Sequence, residues 1–311
     1  MATPTVSPFS QAVVGAMRKL YPEALADSSF DNTGLLLEAP YRKGHLKNSV
    51  LLTVDLTTAV ADEAVARKDS IIVTYHPIIF RGLKSITQSN TQQNTLLRLA
   101  QEGISVYSPH TAVDAAKGGL NDFLAFCVTH PDATHDLSVI TPVKNAPKGF
   151  EEAGYGRIVR FQEPLTLGVI VNRITMWLQL SGISIAVPQS TQARKKSEIK
   201  ISSVGICAGS GGSMLNGLDV DLLFTGEMSH HEALAATEQG RCVITTFHSN
   251  SERRFLGARM RDVLREGVKN EIQEVIEKGQ WEEGLEATFK VDTSAVDKDP
   301  FDILMTDQRD W

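Results

Sequence analysis

The sequence is poor in the residues that mark several large classes of protein. Its three cysteines, Cys127, Cys207 and Cys242, lie far apart and form no CxxC pair. Neither a disulfide framework nor a thiolate zinc site fits; they read as reduced, mostly buried thiols of an intracellular protein. Aromatics make up 6% of the chain, too few for a platform on which successive bases stack. The longest clearly apolar stretches, such as Leu167–Val171, fall far short of the roughly 20 residues that cross a bilayer. Positive charge is short as well. A net charge of −6 lacks the basic field that dominates non-specific nucleic-acid binding, so nucleic acid is not an expected partner. The amino-terminal stretch has no apolar signal core, and Arg18 and Lys19 are its only charges before Leu20. That argues against a secretory signal and gives a mitochondrial presequence little support, so the expected compartment is the cytoplasm, with the mitochondrion second.

What is present is globular. The 311 residues are 42% hydrophobic and 22% charged, with 23 glycines and 12 prolines, which predicts one large or two medium domains. Apolar residues at helical spacing from Ser7 to Leu20 predict a helix capped by Ser7 or Ser10. Strand-like runs at Leu35–Leu37, Ser49–Val54, Asp69–Thr74 and Gly103–Tyr107 alternate with helical patterns at Thr57–Arg67 and Thr91–Gln101. Later, a helix capped by Thr166 runs to Leu180, strands are expected at Ile183–Val187, Lys200–Cys207, Val220–Phe224 and Arg241–Thr246, and helices at Ser229–Glu238 and Ser249–Glu266. This alternation predicts an α/β protein with mostly parallel strands. The prolines Pro131, Pro142 and Pro147 place a boundary near 130–160. The expected halves are 1–135 and 160–311, with 248–301 returning ligands to a shared site.

Histidine carries the chemistry. Of eight histidines, His45, His76, His110, His230, His231 and His248 fall at or next to strand ends or helix starts, where ligands gather in open α/β sheets. His76 follows the apolar strand Ser70–Tyr75 and precedes Pro77; it is either a ligand or a strand-end histidine bonded to a loop carbonyl. His110 stands four residues before Asp114, so the pair either shares a helical face or is an Asp cap with a surface histidine. His248 and Glu252, at i and i+4 at the start of a helix, make a divalent-metal half-site. Alternatively Ser249 or Ser251 caps that helix and Glu252 pairs with an arginine. Gly226-Glu227-Met228-Ser229-His230-His231 also opens a helix, where adjacent histidines point about 100° apart and only one serves a given site. Gly209-Ser210-Gly211-Gly212 either offers backbone amides to an anion or makes a tight turn needing positive φ; it lacks the P-loop lysine. Imidazole and carboxylate without thiolate suit Fe, Mn, Co or Zn in a hydrolytic site.

The segments Asp31-Asn32-Thr33-Gly34, Thr74–Phe80, His110–Asp114, Gly226–His231 and His248–Glu252, in this order, resemble the NIF-three-like family. Its members are also described as type 2-like homologues of GTP cyclohydrolase I. The resemblance covers about Phe9 to Phe301, and the tyrosine in Thr74–Phe80 looks like the eukaryotic, fungal-type branch. It implies an α/β fold of two related halves with mixed sheets and a metal site facing the lumen of a hexameric ring. The family's ligands carry over to His76, Asp114, His248 and Glu252, with His110 in the same motif as Asp114, and these side chains are expected to converge. Bacterial relatives carry two histidines where this chain has Tyr75-His76, which removes one ligand and implies one metal per chain rather than two. Two functions follow. In the first, the protein is a metal-dependent hydrolase of a small phosphorylated or nucleotide-like substrate, with a metal-bound water as nucleophile, Glu252 as bridging ligand and His231 or Glu227 as proton carrier. In the second, it is a non-enzymatic scaffold or transcription-related protein partner with a vestigial metal site.

Overall fold

The computed structural model describes residues 6–277 and 288–303. In chain order the elements are α1 (Pro8–Leu20), β1 (Gly34–Leu37), β2 (Lys47–Thr53), α2 (Thr58–Arg67), β3 (Asp69–Thr74), α3 (Thr91–Glu102), β4 (Ser105–Ser108), α4 (Thr111–Ala115) and α5 (Leu120–Thr129). There follow β5 (His135–Pro142), β6 (Gly154–Thr166), α6 (Leu167–Leu178), β7 (Ser184–Ala186), β8 (Lys200–Ser210), α7 (Gly212–Leu215), β9 (Leu222–Glu227), α8 (His230–Glu238) and β10 (Cys242–Thr245). The chain closes with α9 (Asn250–Phe255), a π-helical turn Leu256–Met260, α10 (Arg261–Glu277) and β11 (Lys290–Thr293).

Two compact units result, Met1–Val113 with Phe255–Lys298 and Asp114–Arg254 with Asp299–Trp311. The first is built on a sheet of order β1-β4-β3-β2-β11, parallel throughout except for the antiparallel edge pair β1·β4. All six residues of β3 are buried, as expected for a parallel strand covered on both faces. Leu51 and Ile72 of the sheet meet Val60 and Ala64 of α2 and Leu96 and Leu99 of α3 in one core cluster. The second unit has the order β5-β6-β8-β9-β10-β7, with β8·β9 and β9·β10 parallel and the remaining pairs antiparallel. Its core cluster joins Leu223 and Val243 to Leu215 and Ala236. Both sheets are mixed, in agreement with the α/β expectation.

The helix starts follow their caps. The Ser7 hydroxyl, not that of Ser10, accepts from the backbone at the start of α1, and Thr57, Asn90 and Thr166 cap α2, α3 and α6 in the same way. Ser229 and Glu232 form a capping box on α8.

Two local expectations change. The stretch 130–160 contains β5 and half of β6, paired in register from His135↔Phe161 to Pro142↔Gly154. Prolines misled here because Pro142 ends an exposed edge strand, where a missing N–H is tolerated. The helix expected to stop at Glu266 continues to Glu277. Gly267 lies inside it because a Cβ there would come within 3.3 Å of Ala16 Cβ and Leu20 Cδ1 on α1. It marks a close approach of two helices, not a terminus.

Candidate metal centre

In the first unit, β2 and β3 run parallel and end together. Beyond the strands, Tyr75 N donates to Thr53 O at 2.8 Å and His76 N to Val54 O at 3.0 Å, so the ladder extends far enough to fix His76. Its Nδ1 lies 2.9 Å from Asp55 Oδ1. An imidazole that gives its Nδ1 proton to a carboxylate keeps Nε2 as the lone-pair nitrogen, the tautomer a metal requires. His110, at the end of β4, has a left-handed φ of 32°, and its Nδ1 sits 2.6 Å from Asp31 Oδ1. Asp31 also accepts from Thr33 Oγ1 at 3.0 Å and from both the amide and the hydroxyl of Thr111. Burial pushes the Asp31 carboxyl up, but these hydrogen bonds and the His110 charge outweigh it and hold the group at about 2. The His76 and His110 ring centroids are 5.5 Å apart, and Tyr75, 3% exposed, packs edge-on against both at 5.1 and 5.6 Å.

In the second unit the carboxyl ends of β8, β9 and β10 are stitched together. Gly209 N donates to Ser251 Oγ at 2.9 Å, Ser251 Oγ donates to His248 O at 2.7 Å, and Thr225 Oγ1 donates to Gly209 O at 3.0 Å. His248 follows Phe247, a non-glycine residue at φ 67°; such strained positions cluster at functional sites. His248 Nδ1 lies 2.8 Å from Glu227 Oε1, and its Nε2 lies 3.4 Å from Glu252 Oε1. Glu252 is 2% exposed. Asp114 stands on α4, its carbonyl accepting from Asn121 Nδ2 at 3.1 Å, while Asn121 Oδ1 accepts from Ala208 N on β8 at 3.0 Å. Burial, then the charges of Asp114 and Glu252, push the Cys207 thiol up to about 12. All three cysteines are free and buried.

The expected site residues therefore fall into two sets. His76 and His110 belong to the first unit, and Asp114, His248 and Glu252 to the second. His231 is exposed on the first turn of α8 with its ring against His230 at 5.3 Å, whereas Glu227 touches His248 directly. Sequence reasoning assigns Asp55, Asp31 and Gly209 no role in the metal site. A carboxylate at the end of the β2 run was the available signal for Asp55. Gly209 has φ +60°, and a Cβ on it would meet Glu252 Oε1 and His248 Nε2, each at 2.9 Å. Its missing side chain leaves room for the donor pair.

The model of the family Duf34/NIF3 (NGG1p interacting factor 3) matches residues 10–279. The chain belongs to this family. A Schizosaccharomyces pombe protein named "Protein NIF3 homolog" is 44% identical over 285 residues, spanning 91% of this chain and 94% of its own. The Saccharomyces cerevisiae protein "NGG1-interacting factor 3" is 40% identical, with 85% and 92% covered. The human "NIF3-like protein 1" is 32% identical, with 80% and 85% covered. Among solved structures, a Bacillus cereus protein related to NIF3 superposes with a TM-score of 0.70 at 19% identity, covering 94% of this chain and 98% of that one. Reduced HcgD from Methanocaldococcus jannaschii does so at 0.64 and 17%, covering 91% and 96%. These structures share the fold with this NIF3-family chain.

The residues fit a metal of the kind the family resemblance implies. His248 Nε2 and Glu252 Oε1 lie 3.4 Å apart beside a glycine whose added Cβ would crowd both at 2.9 Å, and the far nitrogen of His248 is held by a carboxylate. Burial, then the charges of Asp114 and Glu252, keep the Cys207 thiol in its neutral form in the metal-free protein. Among the described residues, no helix is long and apolar enough to cross a membrane.

Proposed function

We propose that this NIF3-family protein binds one divalent metal per chain with His248 and Glu252 as ligands, His76, His110 and Asp114 being the further ligands that the family resemblance implies. We assign it the hydrolysis of a small phosphorylated or nucleotide-like substrate. The observation that carries the reading is the pairing of His248 Nε2 with buried Glu252 at 3.4 Å while Glu227 holds Nδ1. Mixed imidazole and carboxylate donors suit Fe, Mn, Co or Zn. A divalent ion supplies Lewis acidity, making a water acidic and polarising a phosphoryl oxygen. Asp55 and Glu227 hold the imidazoles in the ligating tautomer, Tyr75 walls the site instead of ligating, and His231 or Glu227 carries protons. The assembly is a homo-oligomer, a hexameric ring, in the cytoplasm. The test is elemental analysis of protein purified without chelating resin, together with turnover of generic phosphate esters. Metal near one per chain, lost in His248→Ala and Glu252→Ala, is expected. A wild-type content no higher than that of the two variants would sink the reading.

A second reading, that the protein is a scaffold or transcription-related partner, draws on the printed name of the 40% identical yeast relative, an interacting factor. It also draws on the exposed apolar side chains Phe80, Leu83 and Ile86, since exposed apolar patches mark interaction surfaces. Metal-depleted protein that keeps its partner in a defined two-component binding assay would favour it.

A further inference from the structure

A cleft of about 720 Å³ opens in the first unit at the end of the sheet away from His76. Its floor is where the parallel strands begin, at Lys47 of β2, Asp69 of β3 and Lys290 of β11. His76 follows the other end of β3, about 20 Å off at 3.3 Å per strand residue. Small-molecule sites commonly have this size.

Its charge is opposite to that of the chain. Arg42, Lys43, Lys47 and Lys290 line it, while Arg67 is committed to Asp69 and Asp292, donating to each at 2.8 Å. Five lining cations against two carboxylates leave an excess of three positive charges, in a protein whose net charge is −6. Clefts lined by one sign of charge concentrate ions of the other. Helix α1 begins on the same wall at Pro8, and its amino end adds partial positive charge. A further observation points to a ligand. Ser49 lines the cleft, is 4% exposed, and its hydroxyl has no hydrogen-bond partner among the described residues; buried hydroxyls are normally satisfied. Half-buried Tyr41 and Phe289 supply flat apolar surface beside these donors.

We propose that this cleft binds a small organic phosphate, the phosphate held by Lys47, Lys290, Ser49 and the amino end of α1, and the apolar part resting on Tyr41 and Phe289. The site is separate from the metal centre and does not rest on it. A phosphate monoester offsets the cleft's excess of positive charge, and an aromatic base fills the volume that inorganic phosphate alone would leave to water.

Isothermal titration calorimetry of the full chain with AMP, inorganic phosphate and adenosine tests this, in buffer containing EDTA so that metal-dependent binding is silent. AMP is expected to bind at one per chain, more tightly than phosphate or adenosine. Lys47→Glu and Lys290→Glu should each weaken it at least tenfold without altering the circular-dichroism melt, and Ser49→Ala should weaken it less. Should a charge reversal impair folding, raising sodium chloride from 50 to 300 mM on the wild-type protein reads the same electrostatics, and affinity must fall. Absence of AMP binding, adenosine binding as tightly as AMP, inorganic phosphate binding as tightly as AMP, or affinity indifferent to both variants and salt overturns the proposal. AMP binding retained in His248→Ala separates this site from the metal centre.

Discussion

Glu227 Oε1 lies 2.8 Å from His248 Nδ1, and the other ring nitrogen of that histidine faces Glu252 Oε1 at 3.4 Å. The first contact sets the tautomer, and the second brings two donors to one side of a helical turn. A carboxylate behind a ligating histidine raises its basicity, and removing such a partner typically costs about 10- to 100-fold in metal affinity. Glu227→Ala is therefore expected to weaken Zn or Mn binding within that range in a competition titration. The Glu227 side chain is 53% exposed, so stability of the metal-free protein should move by less than about 0.5 kcal/mol. Unchanged affinity would remove Glu227 from the site.

Gly209 tests the geometry from the other side. Gly209→Ala places a Cβ 2.9 Å from both His248 Nε2 and Glu252 Oε1, at φ +60°. Gly217→Ala is the control: its φ is +81°, and nothing lies within 4 Å of the added Cβ. Both variants incur the left-handed backbone cost of about 1–2 kcal/mol. Only Gly209→Ala should also lose metal, seen as lower metal-to-protein ratio at equal fold content. Equal metal content in the two variants would show that the space beside His248 is not a binding space.

Much of this was legible in the sequence because local signals and tertiary structure agree. Thr166 caps where expected, the apolar run Asp69–Thr74 is β3 residue for residue, and His248 and Glu252 meet one turn apart. The strand β6 was not legible. Only five of its thirteen residues are buried and four are exposed, so it lacks the apolar run of a buried strand, and Gly154 and Gly156 read as breakers. Those glycines answer to contacts distant in sequence, since a Cβ on Gly154 would come within 2.8 Å of Thr141 O. The orienting carboxylates were hidden for a similar reason. Asp31 and His110 are 79 residues apart, and periodicity cannot register such a pair.

Asp31 gives the structure a pH-dependent element. Its side chain is 1% exposed, and it is held at about 2, below the ordinary 3.8, since contacts from His110, Thr111 and Thr33 outweigh burial. A carboxyl depressed in the folded state adds stability that is complete above its unfolded pKa and lost as pH falls through its folded one. The contribution should thus fade between about pH 4 and pH 2, and it amounts to at most about 2 kcal/mol. Urea midpoints of wild type and Asp31→Asn should differ at pH 6 and converge towards pH 2. A gap that stays constant over that window would mean Asp31 acts through packing alone.

The largest single-residue effect on stability is expected at Asp122. Arg157 is 2% exposed, and its guanidinium donates to Asp122 through Nε at 2.5 Å and Nη2 at 3.1 Å. Its Nη1 also donates to the carbonyls of Gly154 at 2.6 Å and Gly156 at 2.9 Å. These bonds tie α5 to the start of β6. Removing the carboxylate leaves a buried cation with carbonyl dipoles but no countercharge, and breaking one side of such a pair costs about 3–5 kcal/mol. Asp122→Ala should lower the unfolding free energy by that amount in urea. Arg157→Lys should also destabilise, because an ammonium cannot serve two carboxylate oxygens and two carbonyls in one plane. The double variant Asp122→Ala/Arg157→Met removes both charges and should recover most of the loss, since a neutral pair no longer strands a charge in the core. If the double variant is as unstable as Asp122→Ala, the cost lies in the packing of α5 against β6, and the charge pair is not what holds them.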